Sequence, residues 1–224
     1  QALLKTPAGR KDQTYFLHRL NQTQLNRLIF PLEKLQKPAV RQIAAEYGLS
    51  GLNGSPLAAK PDSQDICFIL DGNYAEFIRR ELMLHGPAGA LKLTEPGNTV
   101  DINGNIIGSH RGLIHYTVGQ RKGFQVRTTE RLFVTGMEIS SNTLIVGPYE
   151  RILKQQIRVG EMVYSGAEAF RRGDHLLARI RSSAPEIACQ VWPEPGGDLS
   201  VTFERPVSAP SPGQSCVFYD RDVI

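Results

Sequence analysis

The sequence predicts a multi-domain α+β chain, in which helices dominate the first third and strands dominate the remainder. One observation is the helical spacing of apolar residues over residues 37–48. Another is the change, from residue 88 onward, to short apolar segments separated by Gly, Pro and Asn, which becomes a purely β pattern after Tyr149. The 224 residues, 41% hydrophobic and 21% charged, have the composition of a globular protein and allow one large domain or two to three small ones.

Three helices are predicted. In residues 37–48 one face carries the apolar positions 40, 43, 44 and 47, with Pro38 at the start and Gly48 just past the end. A shorter helix is expected around Tyr15, Phe16 and Leu20, and Asn73 is expected to cap a helix whose apolar face holds Tyr74, Phe77, Ile78 and Leu82. Between the last two helices, a polar loop at 62–65 runs into a short apolar strand at 66–70.

The strands follow from turn residues and spacing. Asn103-Gly104 is the strongest two-residue signal for a β-hairpin. Strands are expected at 175–181, 186–192, 199–204 and 215–219, which suggests a small barrel or sandwich of about 70 residues. We therefore predict domain boundaries near residues 71 and 152, giving segments 1–70, 71–151 and 152–224.

The charge distribution favours a phosphate-bearing partner, although a solvated basic face is the commoner explanation of one cluster. The net charge is +4, and its excess lies in residues 1–70, which carry nine basic and five acidic side chains. A second basic cluster is formed by Arg111, Arg121, Lys122, Arg127 and Arg131. No apolar run approaches the roughly 18 residues of a membrane span, and no signal pattern begins the chain, so we expect a soluble protein without a membrane partner.

Cys67 is the leading candidate for chemistry, because it lies on the predicted strand beside the polar loop. The competing interpretation is a small buried hydrophobic residue between Ile66 and Phe68. Cys189 and Cys216 are interpreted as core residues, and three widely spaced cysteines favour a reducing cytoplasm over a disulfide framework. His110 and His115 have no third ligand at convincing spacing, so no metal site is predicted, and RNA contact suits that stretch better.

Four separated motifs carry a family resemblance. They are Lys11-Asp12-Gln13-Thr14-Tyr15-Phe16-Leu17, Asp62-Ser63-Gln64-Asp65-Ile66-Cys67-Phe68-Ile69, the Tyr-Thr-Val-Gly-Gln-Arg-Lys-Gly core of residues 112–123, and Ser211-Pro212-Gly213-Gln214-Ser215. In this order they resemble the tRNA-specific 2-thiouridylase family of the MnmA/TrmU type. The resemblance covers nearly the whole chain but only the back portion of that family's enzymes. The family's SGGxDS-type phosphate loop and first catalytic cysteine do not occur in the 224 residues.

The resemblance implies a fold and a reaction. Segment 1–70 would be the helical tail of a Rossmann-like adenylation domain, segment 71–151 a small mixed central domain that binds tRNA, and segment 152–224 an antiparallel β-barrel. ATP, with Mg bound mostly outside these residues, would adenylate the C2 oxygen of the wobble uridine, and a protein persulfide would then supply sulfur. Cys67 would carry the persulfide, and its partner cysteine would lie upstream of Gln1.

The resemblance also implies partners and contacts. The residues that match tRNA-contacting positions are Lys11, Asp12, Gln13, Arg181, Ser182 and Gln214. At Ser182 relatives often carry Tyr, so Arg181 keeps a phosphate contact without the aromatic neighbour. A cysteine desulfurase or sulfur-relay protein would donate sulfur. The alternative function is a module that binds tRNA or a sulfur-relay protein without chemistry of its own.

Overall fold

The computed structural model describes residues 3–5, 12–60, 69, 72–126, 128–165 and 169–224. In these residues the α-helices are α1 (Thr14–Leu17), α2 (Gln22–Leu25), α3 (Lys37–Glu46) and α4 (Tyr74–His85). The strands are β1 (Gly97–Val100), β2 (Ile106–His110), β3 (Gln125–Val126), β4 (Phe133–Glu138), β5 (Thr143–Gly147), β6 (Leu153–Val159), β7 (Asp174–Arg179), β8 (Ile187–Pro193), β9 (Leu199–Ser208) and β10 (Val217–Tyr219). The fold is mixed α+β, with short helices and two sheets.

The helices confirm the predicted caps and correct one prediction. Helix α3 has Pro in its first turn, and α4 begins where the Asn73 side chain accepts the N–H of Glu76 at 3.1 Å. Helix α1 forms at the expected place but has one turn and ends before Leu20. Helix α2 was not predicted, since a polar capping box between Asn21 and Gln24 starts it without apolar periodicity.

One sheet has the strand order β3-β2-β1-β5-β4. Strands β1 and β2 form the predicted antiparallel hairpin, whereas β1 pairs with β5 in parallel. The hairpin connection is longer than two residues because the Asp101 carboxylate accepts the backbone N–H groups of Asn103 and Asn105, at 2.8 and 2.9 Å. The buried core of this sheet consists of Leu113, Tyr116, Val134, Leu144 and Val146.

The other sheet has the order β10-β7-β8-β9-β6. Strand β7 pairs antiparallel with both β8 and β10. Residues on β7 alternate, so that Leu176 and Ala178 are buried on one side while Arg179 belongs to the other. The four predicted strands are confirmed, although β9 extends to Ser208 and β10 has only three residues. The expected barrel is not closed among the described residues, because no pairing there joins β10 to β6.

The chain divides into two units. The first unit contains Gln1–Gln64, Arg158–Val201 and Ser215–Ile224, and the second contains Asp65–Ile157 and Thr202–Gln214. None of the helices in the described ranges combines the length and apolar character needed to cross a bilayer.

Candidate nucleic-acid interface

Two of the predicted site residues, Cys67 and Lys11, lie outside the described residues. The predicted apolar strand at 66–70 falls in the same gap, apart from Ile69, which is buried. The remaining predicted residues, Asp12, Gln13, Arg181, Ser182 and Gln214, are described. All of these except Gln214 belong to the first unit.

Asp12 and Gln13 stand immediately before helix α1 and differ in exposure. The Asp12 carboxylate accepts hydrogen bonds from the backbone N–H of Thr14 at 3.0 Å and from its hydroxyl at 2.7 Å. Its side chain is only 8% exposed and lies 3.9 Å from the guanidinium Nη1 of Arg179. Gln13 is exposed, and its side chain does not cap the helix. The geometry therefore leaves Gln13 accessible to a partner and turns Asp12 inward.

Helix α1 is held against strand β10 by two tyrosines. The Tyr15 hydroxyl donates to the carbonyl of Ser215 at 2.9 Å, and the hydroxyls of Thr14 and Tyr219 lie 3.5 Å apart. Burial raises the pKa of Tyr15, with Cys216 and Tyr219 adding to the rise and Arg181 opposing it. Arg181 therefore lies within electrostatic range of this contact.

A cluster of four charged side chains surrounds Tyr219. One carboxylate oxygen of Glu186 binds Lys5 Nζ at 2.8 Å, and the other accepts from Arg179 Nη2 at 2.7 Å. Tyr219 is fully buried, with Lys5 Nζ 4.7 Å and Arg179 Cζ 5.4 Å from its ring centroid. With Asp12 the cluster has two positive and two negative groups, so its formal charge is zero. We name it the Arg179 cluster.

No sequence motif pointed to Lys5, Arg179, Glu186 or Tyr219. Their pairing joins positions far apart along the chain, such as Lys5 and Glu186, which are 181 residues apart. The only local signal was strand alternation, which puts Arg179 on the side of β7 opposite the buried Leu176 and Ala178.

Arg181 and Ser182 lie at the start of the turn that leads from β7 to β8. The backbone carbonyl of Arg181 accepts the N–H of Ala184 at 3.1 Å. Arg181 is half-buried and Ser182 is exposed. Thus Gln13 and Ser182 are accessible side chains of the first unit, and Arg181 is partly so.

Gln214 ends a turn of the second unit. Its N–H donates to the carbonyl of Ser211 at 3.1 Å, and Gly213 before it has a positive φ of 82°. The Gln214 side chain is exposed. A rigid turn with an exposed amide suits hydrogen bonding to a partner.

The second unit also contains a braced basic loop, residues 117–123. The Gln120 side chain accepts the N–H of Thr117 at 3.1 Å and donates to the carbonyl of Lys122 at 2.7 Å. At the end of the loop, Tyr116 donates to the carbonyl of Gly123 at 3.0 Å. Arg121 and Lys122 are exposed and form no ion pair with a described residue. Arg111 and Arg131 are exposed as well, and Arg127 lies outside the described residues.

His110 is a core residue and not a site residue. It is 3% exposed, its Nδ1 accepts the N–H of Gly112 at 3.1 Å, and its Nε2 then donates to the carbonyl of Asn142 at 3.0 Å. His115 is half-buried, and burial together with Arg111 lowers its pKa. Within the described ranges no three His, Cys, Asp or Glu side chains are grouped as a metal site would require.

Both cysteines of the described residues are shielded. Cys189 is buried on β8, opposite Leu176 of β7. Cys216 precedes β10 and is half-buried as a residue, and burial of its thiol raises its pKa to about 12. The interpretation of these two cysteines as core residues fits this environment.

Comparison with known proteins covers nearly all of the chain. Residues 1–71 match a family model described as a tRNA methyl transferase HUP domain, residues 91–148 a tRNA methyl transferase PRC-barrel domain, and residues 154–224 an aminomethyltransferase beta-barrel domain. The chain is 36% identical over 222 residues to the tRNA-specific 2-thiouridylase MnmA of Acetivibrio thermocellus, covering 99% of this chain and 58% of that protein. It is 37% identical over 223 residues to the MnmA of Lachnoclostridium phytofermentans, covering 100% of this chain and 58% of that protein.

A third relative, the tRNA-specific 2-thiouridylase MnmA of Roseiflexus sp., is 36% identical over 222 residues, covering 99% of this chain and 56% of that protein. The chain thus spans somewhat more than half the length of the relatives it matches. Three successive family models and an alignment along the whole chain agree with the four motifs quoted above. The chain belongs to the tRNA-specific 2-thiouridylase family of the MnmA/TrmU type.

Proposed function

We propose that this chain is part of a tRNA-uridine 2-sulfurtransferase, which replaces the C2 oxygen of the wobble uridine with sulfur. The observation that carries the proposal is the continuous similarity, over 222 residues, to a protein named a tRNA-specific 2-thiouridylase. The exposed basic loop at 117–123 supports it, because cationic side chains exposed on a fixed loop attract RNA phosphates.

Cys67 is the proposed sulfur carrier. A ring carbonyl oxygen is a poor leaving group, so adenylation by ATP must precede its displacement. The terminal sulfur of a persulfide on Cys67 then attacks C2 and AMP leaves, so that Cys67 is joined to the base through an S–S bond. The thiolate of a second cysteine, outside these residues, attacks Cys67 Sγ. This breaks that S–S bond, leaves the sulfur on C2 and forms a disulfide between the two cysteines. The shielding of Cys189 and Cys216 supports Cys67 as the reactive thiol among the three.

The proposed organisation has three segments, namely the adenylation-domain tail (1–70), the central tRNA-binding domain (71–151) and the β-barrel (152–224). The 224 residues contain no glycine-rich phosphate loop, so they do not fit an ATP site, and we assign ATP and Mg mainly to other parts of the enzyme. A cysteine desulfurase or sulfur-relay protein is the proposed donor, and the cytoplasm is the proposed location.

The proposed tRNA contacts are Lys11, Asp12, Gln13, Arg181, Ser182 and Gln214. Of these, Gln13, Ser182 and Gln214 are exposed and suited to direct contact. Asp12 is turned toward Thr14 and Arg179, so its contribution is to hold its neighbours in place. The wobble base must leave the anticodon stack to reach a protein thiol, and the phosphate contacts hold the tRNA meanwhile.

Thiolation by the full-length protein tests the proposal. Cys67→Ser should abolish sulfur transfer to tRNA and leave ATP-dependent adenylation intact, while Cys216→Ser serves as the matched control and should retain transfer. In a companion assay, incubation with a cysteine desulfurase and cysteine should add about 32 Da, one sulfur atom, to Cys67. Retained thiolation by Cys67→Ser would contradict the assignment. Binding of tRNA without any sulfur adduct would instead favour a module without chemistry of its own.

The basic loop gives a second test. Arg121→Gln combined with Lys122→Gln should weaken tRNA binding and lower the slope of log affinity against log salt by roughly 0.7–0.9 for each phosphate that the variant no longer neutralises. An unchanged slope would remove the loop from the proposed interface. Glu130→Gln, which changes an exposed acidic residue of the same unit, controls for a general change of charge.

A further inference from the structure

We propose that Arg179 is a positioning residue for tRNA binding, which acts through Asp12 to hold Gln13 in a productive place. This inference rests on the proposed function, because it concerns the segment proposed to contact tRNA. Arg179 itself makes no contact with the RNA.

The Arg179 guanidinium lies between two carboxylates. Arg179 reaches two carboxylates at once, with Nη2 2.7 Å from Glu186 and Nη1 3.9 Å from Asp12. The Arg179 and Glu186 side chains are only 17% and 18% exposed. The guanidinium therefore hydrogen-bonds Glu186 and forms a longer ion pair with Asp12, which links the residue before Gln13 to strand β7.

Side-chain contacts hold the backbone on both sides of Gln13. Both Asp12 oxygens are occupied, since Thr14 donates its N–H to one and its hydroxyl to the other. Thr14 is itself buried against Tyr219. The backbone on each side of Gln13 is therefore anchored, while the Gln13 side chain stays exposed. Arg179 adds the link from Asp12 to strand β7, so its removal would loosen the placement of Gln13.

Carboxylates compensate the positive charge of Arg179. Lys5 and Arg179 are matched by Glu186 and Asp12 within the Arg179 cluster, and Asp222 lies 3.9 Å from Lys5 Nζ as a third carboxylate, so no excess positive charge remains there to attract phosphate. The Arg179 guanidinium is also partly buried over the Tyr219 ring. A role in positioning agrees with both observations better than a direct phosphate contact does.

The test is a double-mutant cycle on tRNA affinity, measured with the full-length protein and a fluorescently labelled tRNA that has uridine at the wobble position. Gln13→Ala and Arg179→Gln should each weaken binding roughly fivefold, and the double variant should bind no more weakly than about the weaker of the two single variants. The salt slope of Arg179→Gln should equal that of the wild type, because Arg179 neutralises no phosphate.

Two further variants keep the test decisive. Arg158→Gln also removes one guanidinium in the same unit, but from an exposed pair with Asp198, and should bind within about twofold of the wild type. Asp12→Asn removes the ion pair between Asp12 and Arg179 while nearly preserving the size and shape of the side chain. It should reproduce the weaker binding and its lack of additivity with Gln13→Ala even if Arg179→Gln does not fold.

The outcomes separate the two claims. Effects that multiply in the double variant, a salt slope lowered in Arg179→Gln, or wild-type affinity in Arg179→Gln and Asp12→Asn would each overturn the positioning role. Absence of tRNA binding by the wild-type protein would overturn the proposed function itself.

Discussion

The environment of Cys216 leads to a quantitative prediction about thiol reactivity. Burial raises the pKa of this thiol to about 12, so at pH 8 only about one molecule in 10⁴ is ionised, against roughly a quarter for an ordinary cysteine of pKa about 8.5. Because the thiolate is the species that reacts, alkylation of Cys216 in the folded protein should be slower than in the unfolded chain by a factor on the order of 10³.

The assay is timed alkylation with iodoacetamide at pH 8, with each cysteine followed separately by peptide mass spectrometry. Cys189 is buried and should also be protected, whereas Cys67, as the proposed sulfur carrier, should react fastest. The control is the same alkylation in urea, where the chain is unfolded and the alkylation rates of the three cysteines should become similar. If native Cys216 reacted within about tenfold of its unfolded rate, the shielding inferred for this thiol would be refuted.

Three stability predictions follow from the second unit. Gly112→Ala should lower the free energy of unfolding in urea by roughly 2–4 kcal/mol, because φ at this residue is +121° and a Cβ would lie 2.7 Å from the Thr94 carbonyl oxygen. Gly136→Ala is the control and should change that free energy by less than about 1 kcal/mol, since its Cβ would meet no atom closer than 3.7 Å. His110→Ala should lower the free energy of unfolding by about 3–5 kcal/mol, because the buried N–H of Gly112 and carbonyl of Asn142 would lose their hydrogen-bond partner. His175 is exposed, so His175→Ala should lower it by less than about 1 kcal/mol. Hydrogen bonds lower the pKa of Asp101, so its contribution is present near neutral pH and disappears as pH falls below about 4; an Asp101→Asn variant whose acid unfolding matched the wild type would contradict this.

The elements predicted from sequence were those with strong local signals. Helices α3 and α4 have a cap or a proline at one end and a regular apolar face, and the strands after Tyr149 alternate between turns. Helix α2 was not predicted, because Leu25 is its one buried side chain and a single apolar residue shows no helical periodicity. Secondary structure was thus predictable wherever consecutive residues carried the information.

In the candidate site too, features with a local sequence signal could be predicted and long-range contacts could not. Gln13 and Gln214 are exposed, as contact with a partner requires, and their role in tRNA binding stays a prediction. The inward turn of Asp12 had a local signal, since an Asp two residues before a Thr at a helix start often bonds to that residue. The link to Arg179 had none, because it depends on how distant segments of the first unit pack.

The two units differ in electrostatic character, and under the proposed function they would bind RNA in different ways. In the first unit the partly buried cations Lys5 and Arg179 are compensated by carboxylates, and these ion pairs fix neighbouring segments. In the second unit Arg121 and Lys122 remain exposed on a braced loop, where they cost little to keep charged and can exchange counterions for phosphates. Salt-sensitive attraction should therefore come from the basic loop, and salt-insensitive selectivity from the exposed amides and hydroxyls. For the proposed tRNA contact, the net charge of +4 is therefore a poor guide to affinity, since the cations that lack a carboxylate partner are the ones that can bind phosphate.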